Sequence, residues 1–276
     1  MTVRARGEGL SSVRNAARLM ATFTPSDRDL GVSELAGRLG LAKSTVHRLL
    51  TTLLHEHFIE RDGTTGRYRL GLKLYELGTI VADHLDIHEV VEAPIEELRD
   101  RTGETVHVAI LDGTSVVYIA RRDSPHPLSM LRRVGHRNDA HCTSTGKVLL
   151  AALSPDERDT LLDGYAFPAH TERTITDRAV LEAELVRVRE RGFGENAGES
   201  ELGAHSIAAP IRDASGRVVA AISVAGLALR FTPETTRRIT METLRSAEAI
   251  SARLGWRVGR VQFAIPSPTR VREVSA

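Results

Sequence analysis

Between Ser11 and Phe23 apolar residues recur every three or four positions: Val13, Ala16, Leu19, Met20 and Phe23. That spacing predicts one apolar stripe on a helix, with Ser11 or Ser12 as its cap. A polar loop over residues 24–31 follows. Leu35, Ala36 and Leu39 then mark a short second helix, capped by Ser33 and closed by Gly40 in a left-handed conformation. A third helix, starting at Ala42 or Lys43, turns Val46, Leu49, Leu50 and Leu53 inward. Two short helices joined by a glycine-bearing turn form a helix-turn-helix. Residues 58–61 and 67–70 read as strands around Asp62-Gly63-Thr64-Thr65-Gly66, which is a β-hairpin or wing.

With the apolar side of the third helix turned inward, Lys43, Ser44, Thr45, His47 and Arg48 are left on its outer side and N-terminal end. A recognition helix presents such residues to base edges, and its N-terminus attracts phosphate. Lys43 and Arg48 suit phosphates or guanine acceptors; Ser44, Thr45 and His47 suit shorter polar contacts. Arg61, Arg67 and Arg69 on the wing fall over the sugar-phosphate backbone or an adjacent minor groove, and Arg4 and Arg6 suit a minor-groove arm. The charge supports this placement. The net charge of +1 divides into +5 over residues 1–75 and −4 over the rest. The competing reading is a small helical domain with a solvated polar face.

Beyond Leu72 the pattern changes twice. Leu74, Leu77, Ile80, Val81 and Leu85 predict a helix or two over residues 72–92, a helical linker. His84 and His88 stand four apart there, without a third ligand nearby, and read as solvent-facing. From Pro94 onward, helices at residues 95–101, 144–153, 176–191 and 233–254 mix with strands at 105–111, 114–120, 127–134, 206–213 and 218–224. Ser154-Pro155-Asp156-Glu157 is a capping box. Hairpins and helices around one sheet indicate an α+β class. Length and pattern together divide the chain into residues 1–71, 72–92, 93–255 and a basic tail, 256–276.

The run SELAGRLGLAKSTVHRLL, from Ser33 to Leu50, resembles the winged helix-turn-helix of the IclR family of bacterial transcriptional regulators, as does GRYRLG from Gly66 to Gly71. The resemblance continues through AHCTSTGKVLLA (Ala140 to Ala151), GFGEN (Gly192 to Asn196) and SIAAPI (Ser206 to Ile211), reaching from about residue 11 to 255. It implies a C-terminal effector-binding domain of GAF-like fold. In relatives that bind small carboxylates the pocket lies on one face of the sheet. Carried over by position, the effector residues are Thr143, Ser144, Thr145, Gly146, Asn196, Ser206 and Ser223, with Cys142 beside them. The sequence departs from the family pattern at Asn196, where an acidic or polar residue is frequent, at Ser206, where cysteine is frequent, and at Ala225, where a second serine is usual. These departures point to a less polar effector, an aromatic or otherwise bulkier carboxylate. Hydroxyls and N–H groups at the start of the 144–153 helix supply anion donors, and Met130, Leu131, Val218, Ala220 and Ile222 are candidate apolar walls.

Other classes fit less well. Residues 1–9 lack a signal-like apolar stretch and no apolar run approaches the roughly 20 residues of a membrane span, so the expectation is a soluble, cytoplasmic protein. Cys142 is the sole cysteine, which excludes an intrachain disulfide and a cysteine-rich zinc site. Thr145-Gly146-Lys147-Val148 imitates the end of a phosphate loop, but Val148 replaces the magnesium-binding hydroxyl and His141 the leading glycine. Gly-x-Ser-x-Gly is absent, and no cofactor or catalytic role is expected. The expected protein is a ligand-responsive regulator that binds double-stranded DNA at a palindromic operator as a homodimer or dimer of dimers. A small carboxylate would bias the arrangement of its recognition helices. Repression is the expected sign, with activation as the alternative.

Overall fold

A computed structural model describes residues 10–24, 26–83, 87–127 and 134–256, excluding the side chains of 81–83 and 88. The Arg4/Arg6 arm, His84, most of the expected 127–134 strand with Met130 and Leu131, and residues 257–276 lie outside them. The chain divides into two compact units, residues 1–86 and 87–276.

The first unit contains α1 (Ser11–Met20), α2 (Val32–Leu39), α3 (Lys43–His55), β1 (Ile59–Arg61), β2 (Tyr68–Leu70) and α4 (Lys73–Asp83). Leu19, Leu30, Leu35, Val46, Leu50, Ile59 and Tyr68 form its core, each nearly sealed from solvent. Removing this much apolar surface from water is the main stabilising term for so small a unit. Val13 departs from the expected stripe and is exposed. The caps differ as well. Ser11 is already helical, Leu10 precedes it without a side-chain cap, and α2 starts from Gly31 rather than Ser33. Glu34 replaces the missing hydroxyl by accepting the Gly31 N–H at 2.7 Å. Gly40, at φ 66°, closes α2 as expected. The wing pairs Ile59 with Leu70 and Arg61 with Tyr68, and Asp62 accepts the N–H groups of Thr64 and Thr65 in its turn.

The second unit runs α5 (His88–Thr102), β3 (Thr105–Asp112), β4 (Ser115–Arg122), β5 (Arg137–Asp139), a 3-10 turn (Ala140–Cys142), α6 (Ser144–Ala152) and α7 (Pro155–Leu161). It continues through α8 (Arg178–Arg191), β6 (Gly194–Ala197), β7 (Ala204–Arg212), β8 (Val218–Leu227), a second 3-10 turn (Ala228–Arg230) and α9 (Pro233–Arg253). The sheet is antiparallel in the order β5-β4-β3-β8-β7-β6. Val148, Leu149 and Leu150 of α6 and Leu181, Leu185 and Val188 of α8 pack over Ala109, Ala208 and Ala221 on one face. Small residues on the strands let α6 approach closely. α5 and α9 pack against each other and against the strands. Ser154 and Glu157 form the expected capping box of α7.

Candidate functional site

The outer side of α3 is built as its apolar spacing requires. Val46, Leu50 and Leu53 are buried, while Lys43, Ser44, Thr45, His47 and Arg48 are exposed on one side of the helix. Lys43 and Arg48 have no ion-pair partner among the described residues. The wing arginines are held by their own unit. Arg67 donates from Nε and Nη2 to the Asp29 carbonyl and from Nη2 to Glu34 at 2.7 Å. Arg69 bonds Glu60 across the hairpin, and Arg61 donates to the Gly66 carbonyl. Gly31 first, then Arg67, holds the Glu34 carboxyl below its ordinary range. Arg67 therefore ties the wing to the start of α2.

The second unit contains a small cleft beside the start of α6. Its floor follows from strand register. Asn196 of β6 lies beside Ser206 of β7, which lies beside Ala225 of β8; one row on, Ser223 lies beside His107 of β3. Thr143 caps α6, its Oγ1 accepting the Gly146 N–H at 3.0 Å. Ser144 and Ser206 share a hydrogen bond of 2.8 Å between the helix and the floor. Asn196 donates to Ser200 at 2.9 Å and accepts the Glu199 N–H at 2.8 Å. Thr143, Ser144, Asn196, Ser206 and Ser223 are thus brought together, each buried, and all five line the cleft.

The other expected effector residues do not line it. Gly146 serves packing: a Cβ there would stand 2.1 Å from the Ala140 carbonyl oxygen. Thr145 is buried beyond it. Cys142, in the 3-10 turn, lines a neighbouring depression with Arg137, Asp139 and His170, and that depression shares Asn138 and Ser200 with the cleft. Val218, Ala220 and Ile222 are not walls of the cleft. Successive strand side chains alternate between faces, so Ala220 and Ile222 project opposite to Ser223 and Ala225.

His107, Tyr118, Asn138, Ser200, Ala204 and His205 also line the cleft and were not found from the sequence. The rings of His107 and Tyr118 lie 4.8 Å apart, and Asn138 donates to the Tyr118 hydroxyl. Alternation along the 105–111 strand would have placed His107 on the same face as Thr105 and Ala109, but not beside Ser223. His205 stacks on Phe231, with centroids 4.5 Å apart, and its Nε2 lies 2.9 Å from Glu195. That contact with His205 is the main influence lowering the Glu195 carboxyl below its ordinary range. Lys and Arg are absent from the described lining, which is mostly hydroxyl, amide and imidazole.

Two family models match the chain, the IclR helix-turn-helix domain over residues 12–63 and the bacterial transcriptional regulator IclR C-terminal domain over residues 79–252. The HTH-type transcriptional regulator KdgR of Escherichia coli (strain K12) is 38% identical over 230 residues, covering 83% of this chain and 88% of that protein. Among solved structures, the Thermotoga maritima IclR has a TM-score of 0.74 at 30% identity, covering 90% of this chain and 100% of its own. An IclR homolog from Microbacterium hydrocarbonoxydans, complexed with 4-hydroxybenzoate, has a TM-score of 0.77 at 27% identity, covering 88% and 99%. The exposed third helix, the wing and both matched domains agree: the chain belongs to the IclR family of DNA-binding bacterial transcriptional regulators.

Proposed function

We propose that this regulator senses a small carboxylate in the cleft at the start of α6, and that occupancy changes its affinity for a palindromic operator bound by a homodimer or dimer of dimers. The observation that carries the effector reading is the convergence of Thr143, Ser144, Asn196, Ser206 and Ser223 on one buried cleft next to a helix N-terminus. Hydroxyl and amide donors with a helix dipole behind them suit an anion. Ser144 and Ser206 bond to each other, which supports a binding site rather than a nucleophile. Repression is the proposed sign. No helix among the described residues is long and apolar enough to cross a membrane, in keeping with a cytoplasmic regulator.

The polar lining favours a hydroxylated carboxylate, because its hydroxyl, amide and imidazole groups can make further hydrogen bonds that a purely apolar ring would leave unused. An aromatic acid is the second reading. It is favoured by the His107–Tyr118 ring pair and by the 4-hydroxybenzoate held by the Microbacterium relative. Calorimetry of the full chain with gluconate and with 4-hydroxybenzoate separates the two. Heat from neither, with DNA affinity unmoved by both, would refute the carboxylate reading.

For the dimer, α4 supplies a surface: Tyr75, Leu77 and Ile80, with Leu72 just before the helix, all expose apolar side chains. A second copy of the same face is the occupant that two-fold symmetry requires.

A further inference from the structure

We propose that the buried Lys147–Glu199 ion pair positions the effector cleft, by clamping the loop that follows Asn196 of β6 and carries Ser200 onto the helix that carries Ser144. The proposal rests on the effector reading of that cleft. Lys147 lies three residues beyond Ser144, one turn along the same side of α6, and its side chain is only 2% exposed. Its Nζ lies 2.6 Å from Glu199 Oε1. A second carboxylate, Glu184, is 3.9 Å away but is already held by Arg187 and Arg191 at 2.8 and 2.9 Å. Glu199 is the direct partner.

Glu199 is also anchored through its main chain. Its N–H bonds Asn196 Oδ1, Asn196 bonds Ser200, and its carbonyl accepts Thr174 Oγ1 at 2.7 Å. The side chain pulls the loop toward α6 while the main chain orients the two cleft residues. The second carboxylate oxygen, Oε2, is buried with no side-chain partner, and the contact to Lys147 is the main offset to the burial of this charge. Burial pushes the Glu199 carboxyl above its ordinary range even with the ammonium beside it. A buried pair of this kind is a poor stability device, since apolar replacements of similar volume are often neutral or better. Its value is geometric. The lysine that gives 145–148 its phosphate-loop look thus reaches a carboxylate of its own chain.

The test uses the full-length protein, hydrogen exchange of residues 196–203, calorimetry with gluconate and 4-hydroxybenzoate, and binding to DNA upstream of its own gene. Lys147→Met leaves Glu199 buried without its cation. It is expected to speed exchange in 196–203 and to weaken the bound probe about tenfold or more, while apo DNA affinity stays within about twofold. Adding Glu199→Gln removes the orphaned charge but does not rebuild the clamp, so it is expected to recover melting temperature while exchange in 196–203 stays fast and the probe stays weakly bound. Where Lys147→Met does not fold, Glu199→Gln alone, which keeps an acceptor for Nζ, gives the same pattern in weaker form. A lower melting temperature with unchanged exchange in 196–203 and unchanged probe affinity overturns the proposal, as does a double variant that returns both readouts to wild type. If wild type binds neither probe, the effector reading fails, and the exchange data alone still decide whether the pair clamps the loop.

Discussion

Lys43 and Arg48 project from α3 into solvent, while the Arg67 guanidinium is occupied by Asp29 and Glu34. A cation free to meet a phosphate releases counterions on binding; one already bonded within its own fold gains less. Lys43→Ala and Arg48→Ala should each weaken operator binding and reduce the slope of log affinity against log salt by about one. Arg67→Ala should leave the slope unchanged and lower the melting temperature instead. Anisotropy titrations at several salt concentrations check both. Glu34 gives a pH signature. Its carboxyl is held below the ordinary value of 4.5 by Gly31 and then Arg67, so its contribution to stability is complete above 4.5 and is lost as pH falls through the lowered value. Glu34→Gln should reduce the acid sensitivity of thermal melts over that range; an unchanged pH profile would show that the contact adds nothing. The sequence was enough to place Arg67 on the wing, because wing position follows from the hairpin. That it is already bonded depends on Asp29 and Glu34, 38 and 33 residues away, whose meeting with the wing is a tertiary event.

Among the elements, α2 and α6 each contain a glycine, and the two have opposite consequences. A Cβ at Gly37 meets nothing within 4 Å, whereas one at Gly146 would collide with the Ala140 backbone. Gly37→Ala should stabilise α2 by about 0.5–1 kcal/mol through helix propensity and the smaller entropy of the unfolded chain. Gly146→Ala must move backbone in a packed core and should cost about 1–3 kcal/mol or more, with loss of probe binding as the cleft distorts. Urea unfolding measures both, and equal effects would discredit the close approach of α6. In sequence the two glycines look alike. The strands show the same limit. Val218–Leu227 is buried on both faces, so its near-continuous apolar run hides which residues alternate toward the cleft, and Ala220 and Ile222 fall on the opposite side. Gly194–Ala197 carries no β-branched or aromatic residue; it is a strand because β7 pairs with it. By contrast, the helix of Val46, Leu50 and Leu53 and the capping box at Ser154 were legible, since their signals lie within one or two turns of chain.

Across the whole molecule, the +5 and −4 segments concentrate the attraction for DNA in the first 75 residues, in a unit small enough to bind weakly alone. Joining two such units makes the second contact intramolecular, which raises affinity without any new base contact. The exposed apolar face of α4 is where this coupling is testable. Tyr75 is 70% exposed and Ile80 52%, a degree of exposure that leaves little packing to lose within the unit. Tyr75→Glu combined with Ile80→Glu should therefore leave the fold intact, move sedimentation toward the monomer, and weaken operator binding by about 10²-fold at low protein concentration. Raising the concentration should recover the lost affinity, because only the coupling has been removed. Probe binding in calorimetry should be unchanged, since its cleft lies in the other unit. A double variant that sediments and binds DNA like wild type would move the dimer contact away from α4, and with it this account of how two weak readers become one strong one.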